Sequence, residues 1–230
     1  MRYFETPYKN TVLKGTIYGS TDPRVFCIHG ASETGSVRFD MLRHHLARVG
    51  IASAAFDFIG AGQTGGDMSG RILEDRLSQA RAVVGSIHLQ KPLIIIGLGM
   101  GADTALRLTQ YYPTSTLILC VPAFFPEDIL APFEIDFCQA LQNESDRKES
   151  RAWDILREFS GSLFVIGAEH DQYAPEGIYD MIDQVTPNVK YKELYTIPGA
   201  PHRILPYLSD HPAQFAEVFE RVYHAIIHSQ

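Results

Sequence analysis

Ile94-Ile95-Ile96-Gly97-Leu98-Gly99-Met100-Gly101-Ala102-Asp103 is an apolar run that passes into a helical pattern through three alternating glycines. A turn this tight from strand to helix needs small flanking residues and holds its central residue in a strained backbone conformation. Gly97 and Gly101 supply the flanks, and Gly99 stands at the centre. A serine at that centre would present its hydroxyl as an attacking nucleophile. Glycine reaches unusual dihedrals freely. The expectation is therefore a turn that keeps its shape, sheds its strain and lacks its hydroxyl. The rival reading is a dinucleotide fingerprint, Gly-x-Gly-x-x-Gly in a first βαβ unit. It fails on spacing, because the third glycine comes one position early and the unit lies mid-chain.

Outward from this stretch, short apolar runs alternate with helix-length amphipathic ones. That alternation predicts an α/β fold, a mostly parallel sheet flanked by helices on both faces. Strands are expected at Leu13–Tyr18, Arg24–His29, Ala52–Asp57, Leu93–Gly97, Thr116–Val121, Ser162–Gly167 and Tyr191–Ile197, with a further one near Tyr3–Phe4. Helices fit Phe39–Val49, Arg71–Ile87, Gly101–Tyr111, Gly177–Val185 and Pro212–Ile227. Residues 1–230 read as one domain. One segment, at about 122–159, is longer than an ordinary αβ connection and predicts a short helical cap. Two short helices fit it, around Phe133–Leu141 and Arg151–Phe159. Its aromatic residues Phe124, Phe125, Phe133, Phe137 and Trp153 either line an acyl or aryl pocket or anchor the segment to the body.

The chain has 230 residues, of which 45% are apolar and 20% charged, the balance of an ordinary globular protein. A net charge of −7 and the lack of any basic run argue against a nucleic-acid partner. Cys27, Cys120 and Cys138 cannot make a disulfide framework, and Cys27 and Cys120 sit in apolar runs as small core residues. No run approaches the roughly 18 apolar residues of a membrane span. Met1–Thr6 has no apolar h-region. These features predict a reduced, cytoplasmic protein that acts on a small molecule. No metal or cofactor pattern stands out. His44 and His45 are adjacent, and His224 and His228 have no acidic partner nearby. The oligomeric state is not written in the sequence.

Four further turns carry polar residues. His29-Gly30-Ala31-Ser32 follows an apolar strand and offers a backbone N–H beside the ligand edge; with the N–H after position 99 it can bind a developing oxyanion, which assigns those donors to Ala31 and Met100. Asp57 opens a glycine-rich loop, where a short polar side chain usually bonds nearby N–H groups. Asp171 falls just past a buried strand, with Glu169 as the competing carboxylate. His202 lies after the last strand, in the Pro/Gly loop Pro198-Gly199-Ala200-Pro201-His202-Arg203. Nucleophile position, acid and base thus follow one another along the chain, each at a strand's carboxyl end.

Taken with Cys27-Ile28-His29-Gly30, Asp57-x-x-Gly60-x-Gly62, Gly97-x-Gly99-x-Gly101, Gly167-x-x-x-Asp171-x-x-x-Pro175 and Gly199-Ala200-x-His202-Arg203, the chain resembles the α/β-hydrolase superfamily over nearly its whole length. Small esterase, thioesterase and acyl-peptidase-like members with a short cap are the nearest in kind. The resemblance implies that Asp171 orients His202, that His202 is the general base, and that Ala31 and Met100 donate to the oxyanion. It implies hydrolysis of an ester, thioester or related acyl bond in a small, partly apolar substrate, without a cofactor. Only position 99 departs, since such proteins carry Ser there, less often Asp or Cys. A serine hydrolase without its serine loses several powers of ten in rate. Three accounts of Gly99 stand open: an engineered replacement, a natural loss leaving a ligand-binding or interaction protein, or direct activation of water or a substrate group by His202. A lyase or cyclase using Asp171 and His202 belongs to the last.

Overall fold

Successive side chains of a strand point to opposite faces of its sheet, and here that alternation sorts each apolar run onto two cores. The computed structural model describes residues 1–67, 73–125, 150–174 and 177–228. The strands are β1 (Arg2–Tyr8), β2 (Thr11–Tyr18), β3 (Val25–Ile28), β4 (Ser53–Phe56), β5 (Leu93–Leu98), β6 (Thr114–Cys120), β7 (Ser162–His170) and β8 (Tyr191–Pro201). They form one sheet in the order β1-β2-β4-β3-β5-β6-β7-β8. β1 and β2 pair antiparallel, as do β2 and β4; the rest are parallel. The helices are α1 (Asp40–Arg48), α2 (Leu73–Ser86), α3 (Met100–Leu108), α4 (Ala152–Glu158), α5 (Ile178–Val185), α6 (Ile204–Asp210) and α7 (Pro212–Ile227), with a 3-10 turn at Gly35–Phe39.

Phe26, Ile28 and Ile95 face α2, α3, α4 and α5. Their neighbours Val25, Cys27, Ile94 and Ile96 face α1, α6 and α7. Both faces are dry, which is why the central strands read as unbroken apolar runs. Cys27 and Cys120 are fully enclosed, and burial pushes both thiols up to about 12.

The fold class is the one the sequence implies, and two boundaries differ in a way that matters. β7 runs to His170 and β8 to Pro201, past the ends of their apolar patterns, because His170 still pairs with Pro201. Backbone hydrogen bonds carry the exposed tips of these strands where side-chain burial has stopped. The Pro/Gly stretch before His202, expected as a loop, is the end of β8, and helix α6 follows it where no helix was expected. Its Pro206 is third in the helix, inside the first turn, where a missing N–H costs nothing. The expected helix around Phe133–Leu141 lies outside the described residues, as does Cys138.

Three buried polar side chains tie layers together. Arg43 of α1 is fully buried and donates to Thr16 and Ser53 across β2 and β4, with the Tyr18 ring 4.1 Å from its guanidinium. His29, just after β3, donates from Nδ1 to the Gly30 carbonyl (2.7 Å) and accepts the Phe58 N–H on Nε2 (3.2 Å). Arg76 of α2 caps the His29 carbonyl at 2.7 Å. Burial, then the Arg76 charge, pushes the His29 imidazole down to about 3.

A pH dependence follows from His29. The unfolded chain takes up this proton below about pH 6.5, whereas the native state resists it down to about 3. His29 therefore favours unfolding progressively as pH falls through that window, by about 1.4 kcal/mol per unit at full slope. Urea unfolding between pH 7 and pH 4.5 should show a steeper loss for the parent chain than for His29→Gln. Equal slopes would show that His29 is not held neutral.

Candidate active site

Gly99 takes φ 56° and ψ −121°, a conformation that L side chains rarely adopt. The surroundings enforce it. Its N–H donates to the Cys120 carbonyl of β6 (2.9 Å), and its own carbonyl accepts the N–H groups of Ala102 (2.9 Å) and Ala123 (3.3 Å). The flanks leave no room for side chains. A Cβ on Gly97 would stand 2.6 Å from the Ala102 Cα, and one on Gly101 would clash with the Ile28 carbonyl oxygen. Helix α3 thus starts in contact with the ends of both β3 and β5. At Gly99 itself the space is open, and the one atom within 4 Å of a Cβ placed there is His202 Nε2, at 3.8 Å.

The His170–Pro201 pairing at the ends of β7 and β8 sets Asp171 and His202 side by side. His202 donates from Nδ1 to the Asp171 carboxylate, 2.8 Å from Oδ1 and 2.9 Å from Oδ2. Because a carboxylate only accepts, Nδ1 carries a proton, and Nε2 faces residue 99. Asp171 Oδ1 also accepts the N–H groups of Tyr173 (3.0 Å) and Ala174 (2.9 Å). Burial raises the Asp171 carboxyl, but the His202 hydrogen bond and charge with these two N–H donors outweigh it, so it lies below its ordinary value. The competing Glu169 instead accepts the Gly199 N–H at 2.7 Å.

Gly99 and His202 border a cleft of about 200 Å³ that also takes in Gly30, Ala31, Met100, Val121, Phe125 and Tyr173. A Cβ on Gly30 would lie 2.7 Å from the Leu98 carbonyl and 3.4 Å from the Met100 nitrogen, so the loop after β3 rests on the residue-99 turn. The N–H groups of Ala31 and Met100 have no acceptor among the described residues.

Of the aromatic candidates, Phe125 lines the cleft. Its carbonyl is held by Ser150 Oγ (2.7 Å) and by Arg107 (3.2 Å), itself paired with Asp103 in α3. Phe124 and Trp153 meet edge to face at 5.3 Å inside the core and serve as anchors. Phe133 and Phe137 lie outside the described residues. Asp57 has a structural place: its carboxylate accepts the N–H groups of Ser36 (2.7 Å) and Gln63 (2.8 Å). Sequence reasoning missed Val121, Tyr173, Arg38 and Arg203 in the cleft. Val121 shows φ 41°, an outlier for a β-branched residue that no sequence pattern announces. Tyr173 meets the His202 ring edge-on at 5.1 Å.

A sequence profile described as serine aminopeptidase, S33 matches residues 19–148. It includes the residue-99 turn and ends before Asp171 and His202. No curated protein matches the sequence. The thioesterase domain from the curacin biosynthetic pathway superposes with a TM-score of 0.70 at 15% identity, covering 95% of this chain and 98% of that one. An esterase from Exiguobacterium antarcticum gives 0.71 at 16%, covering 94% and 96%. The Paleococcus ferrophilus monoacylglycerol lipase gives 0.70 at 16%, covering 95% and 99%. Identities this low show a shared fold.

The turn sets two costs apart. Gly99→Ala meets open space and should lose only the backbone strain, about 1–3 kcal/mol. Gly101→Ala drives a methyl into the β3 backbone and should lose more. Denaturant unfolding of both variants checks this. A smaller loss at 101 than at 99 would contradict the close approach of α3 to β3.

Proposed function

The chain belongs to the serine aminopeptidase S33 family within the α/β-hydrolase superfamily, and from that premise we propose that its cleft is an acyl-hydrolase site complete except for the nucleophile. The substrate class is an ester or thioester of a small, partly apolar acid. The observation that carries this reading is the 3.8 Å between His202 Nε2 and a Cβ placed on residue 99. A serine hydroxyl, one bond further out, falls within hydrogen-bonding reach of that nitrogen.

In the parent reaction a serine at 99 attacks the acyl carbon while His202 Nε2 takes its proton. Asp171 holds the ring in the tautomer that leaves Nε2 free and stabilises the imidazolium that forms. The carbonyl oxygen becomes an oxyanion and is received by the N–H groups of Ala31 and Met100. His202 then gives the proton to the leaving group, and water releases the acyl group by the same steps. With Gly99 no bond from the chain to the acyl carbon forms. The chain as it stands binds such a substrate, and its turnover rests on the oxyanion donors and on water alone. Gly99 therefore favours a second reading on the same geometry, that ligand binding itself is the function.

Gly99→Ser should hydrolyse short-chain aryl esters at least about a thousandfold faster than the parent chain, the scale on which nucleophile loss is felt. It should also become labelled by a fluorophosphonate probe, and His202→Ala in that background should abolish both. A folded Gly99→Ser protein with neither turnover nor labelling would leave the ligand-binding reading in its place.

A further inference from the structure

Two arginines border the cleft without an acidic partner among the described residues. Arg38 comes from the 3-10 turn at Gly35–Phe39, and Arg203 directly follows His202. The 3-10 turn packs against α6, so both side chains border the cleft that holds Gly99 and His202. The Nε of Arg38 donates to the Thr34 hydroxyl at 3.1 Å. Among the described residues neither arginine forms an ion pair. Burial first, then the neighbouring charge of Arg203, holds the Arg38 guanidinium below its ordinary value.

Elsewhere several arginines do find acidic partners. Arg107 pairs with Asp103, Arg157 with Asp154, and Arg221 with Glu193 and Glu217. Carboxylates are in surplus, 27 Asp and Glu against 20 Lys and Arg, yet none of the described ones faces these two cations. Bringing like charges together in a half-enclosed cleft is unfavourable, and an anion between them reverses the sign of the interaction. Guanidinium groups suit this task because their planar donors match the oxygens of a carboxylate or phosphate.

We infer that the substrate of this cleft carries an anionic group, a carboxylate or a phosphate, which lies between Arg38 and Arg203 while its acyl carbon rests against Gly99 and His202. The inference rests on the acyl-substrate reading above and narrows it from small acyl compounds to acidic ones. It also gives the loop after β3 a second task, since one loop supplies Arg38 as well as the N–H of Ala31.

Because Gly99 prevents acyl transfer to the chain, binding to the unaltered protein can be measured at equilibrium. Calorimetric titration would compare monomethyl glutarate and 3-acetoxypropyl phosphate with the neutral dimethyl glutarate. Each anionic ester should bind about tenfold or more tightly than the neutral one, as charge-assisted pairs allow. The preference should shrink as salt rises from about 20 to about 300 mM, the range over which exposed charges become screened. It should fall below about threefold in Arg38→Gln/Arg203→Gln. The ratio between the two anions decides between carboxylate and phosphate. Equal affinity for neutral and anionic esters, a preference that survives in the double variant, or no binding of either anion overturns the inference. The salt response of the unaltered chain keeps the test decisive should the double variant fail to fold. Labelling of Gly99→Ser by an uncharged fluorophosphonate reports separately on the hydrolase reading. Labelling without anion preference rejects the anionic site alone, and anion preference without labelling rejects the hydrolase reading alone.

Discussion

The turn at residue 99 exists only because α3 begins in contact with two strands at once. Gly97 and Gly101 let the backbones approach to distances that a single methyl group would forbid, and Gly99 accepts the positive φ that results. Its three backbone hydrogen bonds to Cys120, Ala102 and Ala123 then lock the turn to β6 and to the cleft wall. The same contact seats the loop after β3 against the turn, and the first N–H of α3 has no acceptor among the described residues. A side chain at 99 would be held by the scaffold rather than by its own preferences. The geometry therefore does not depend on which side chain, if any, residue 99 carries.

Strand register does for Asp171 and His202 what the turn does for position 99. Pairing of His170 with Pro201 extends β7 and β8 just far enough to place Asp171 beside His202. Asp171 is then held ionised by the imidazole and two backbone N–H groups against the pull of burial. A carboxylate fixed this way cannot rotate to another partner, and it dictates which ring nitrogen carries the proton. The described lining of the cleft contains two guanidinium groups and no carboxylate, since Asp171 is buried behind His202. Its charge is thus opposite in sign to that of the chain as a whole.

Most of the fold was legible because its central strands are buried on both faces and its helices carry periodic apolar stripes. The meeting of Gly99, Asp171 and His202 in one candidate site was legible because each sits where an apolar run ends and a turn begins. What escaped notice had no such edge. The last residues of β7 and β8 are exposed and paired through the backbone, so hydropathy ended too early. Helix α6 hid behind Pro206, which a first turn tolerates. Arg43 and Arg76 are buried although their residue type signals the surface, and only tertiary partners explain them. Phe124, Phe125 and Trp153 looked alike in sequence, and three-dimensional packing separated the one on the cleft from the two in the core.

The central claim is that the cleft lacks a nucleophile and nothing else in its geometry. A crystal structure of Gly99→Ser tests it most directly. The account predicts a positive φ at residue 99, with the serine Oγ about 3 Å from His202 Nε2 and the Asp171–His202 pair unchanged. A serine that relaxes to an ordinary helical φ, with its hydroxyl turned away from His202, would contradict it.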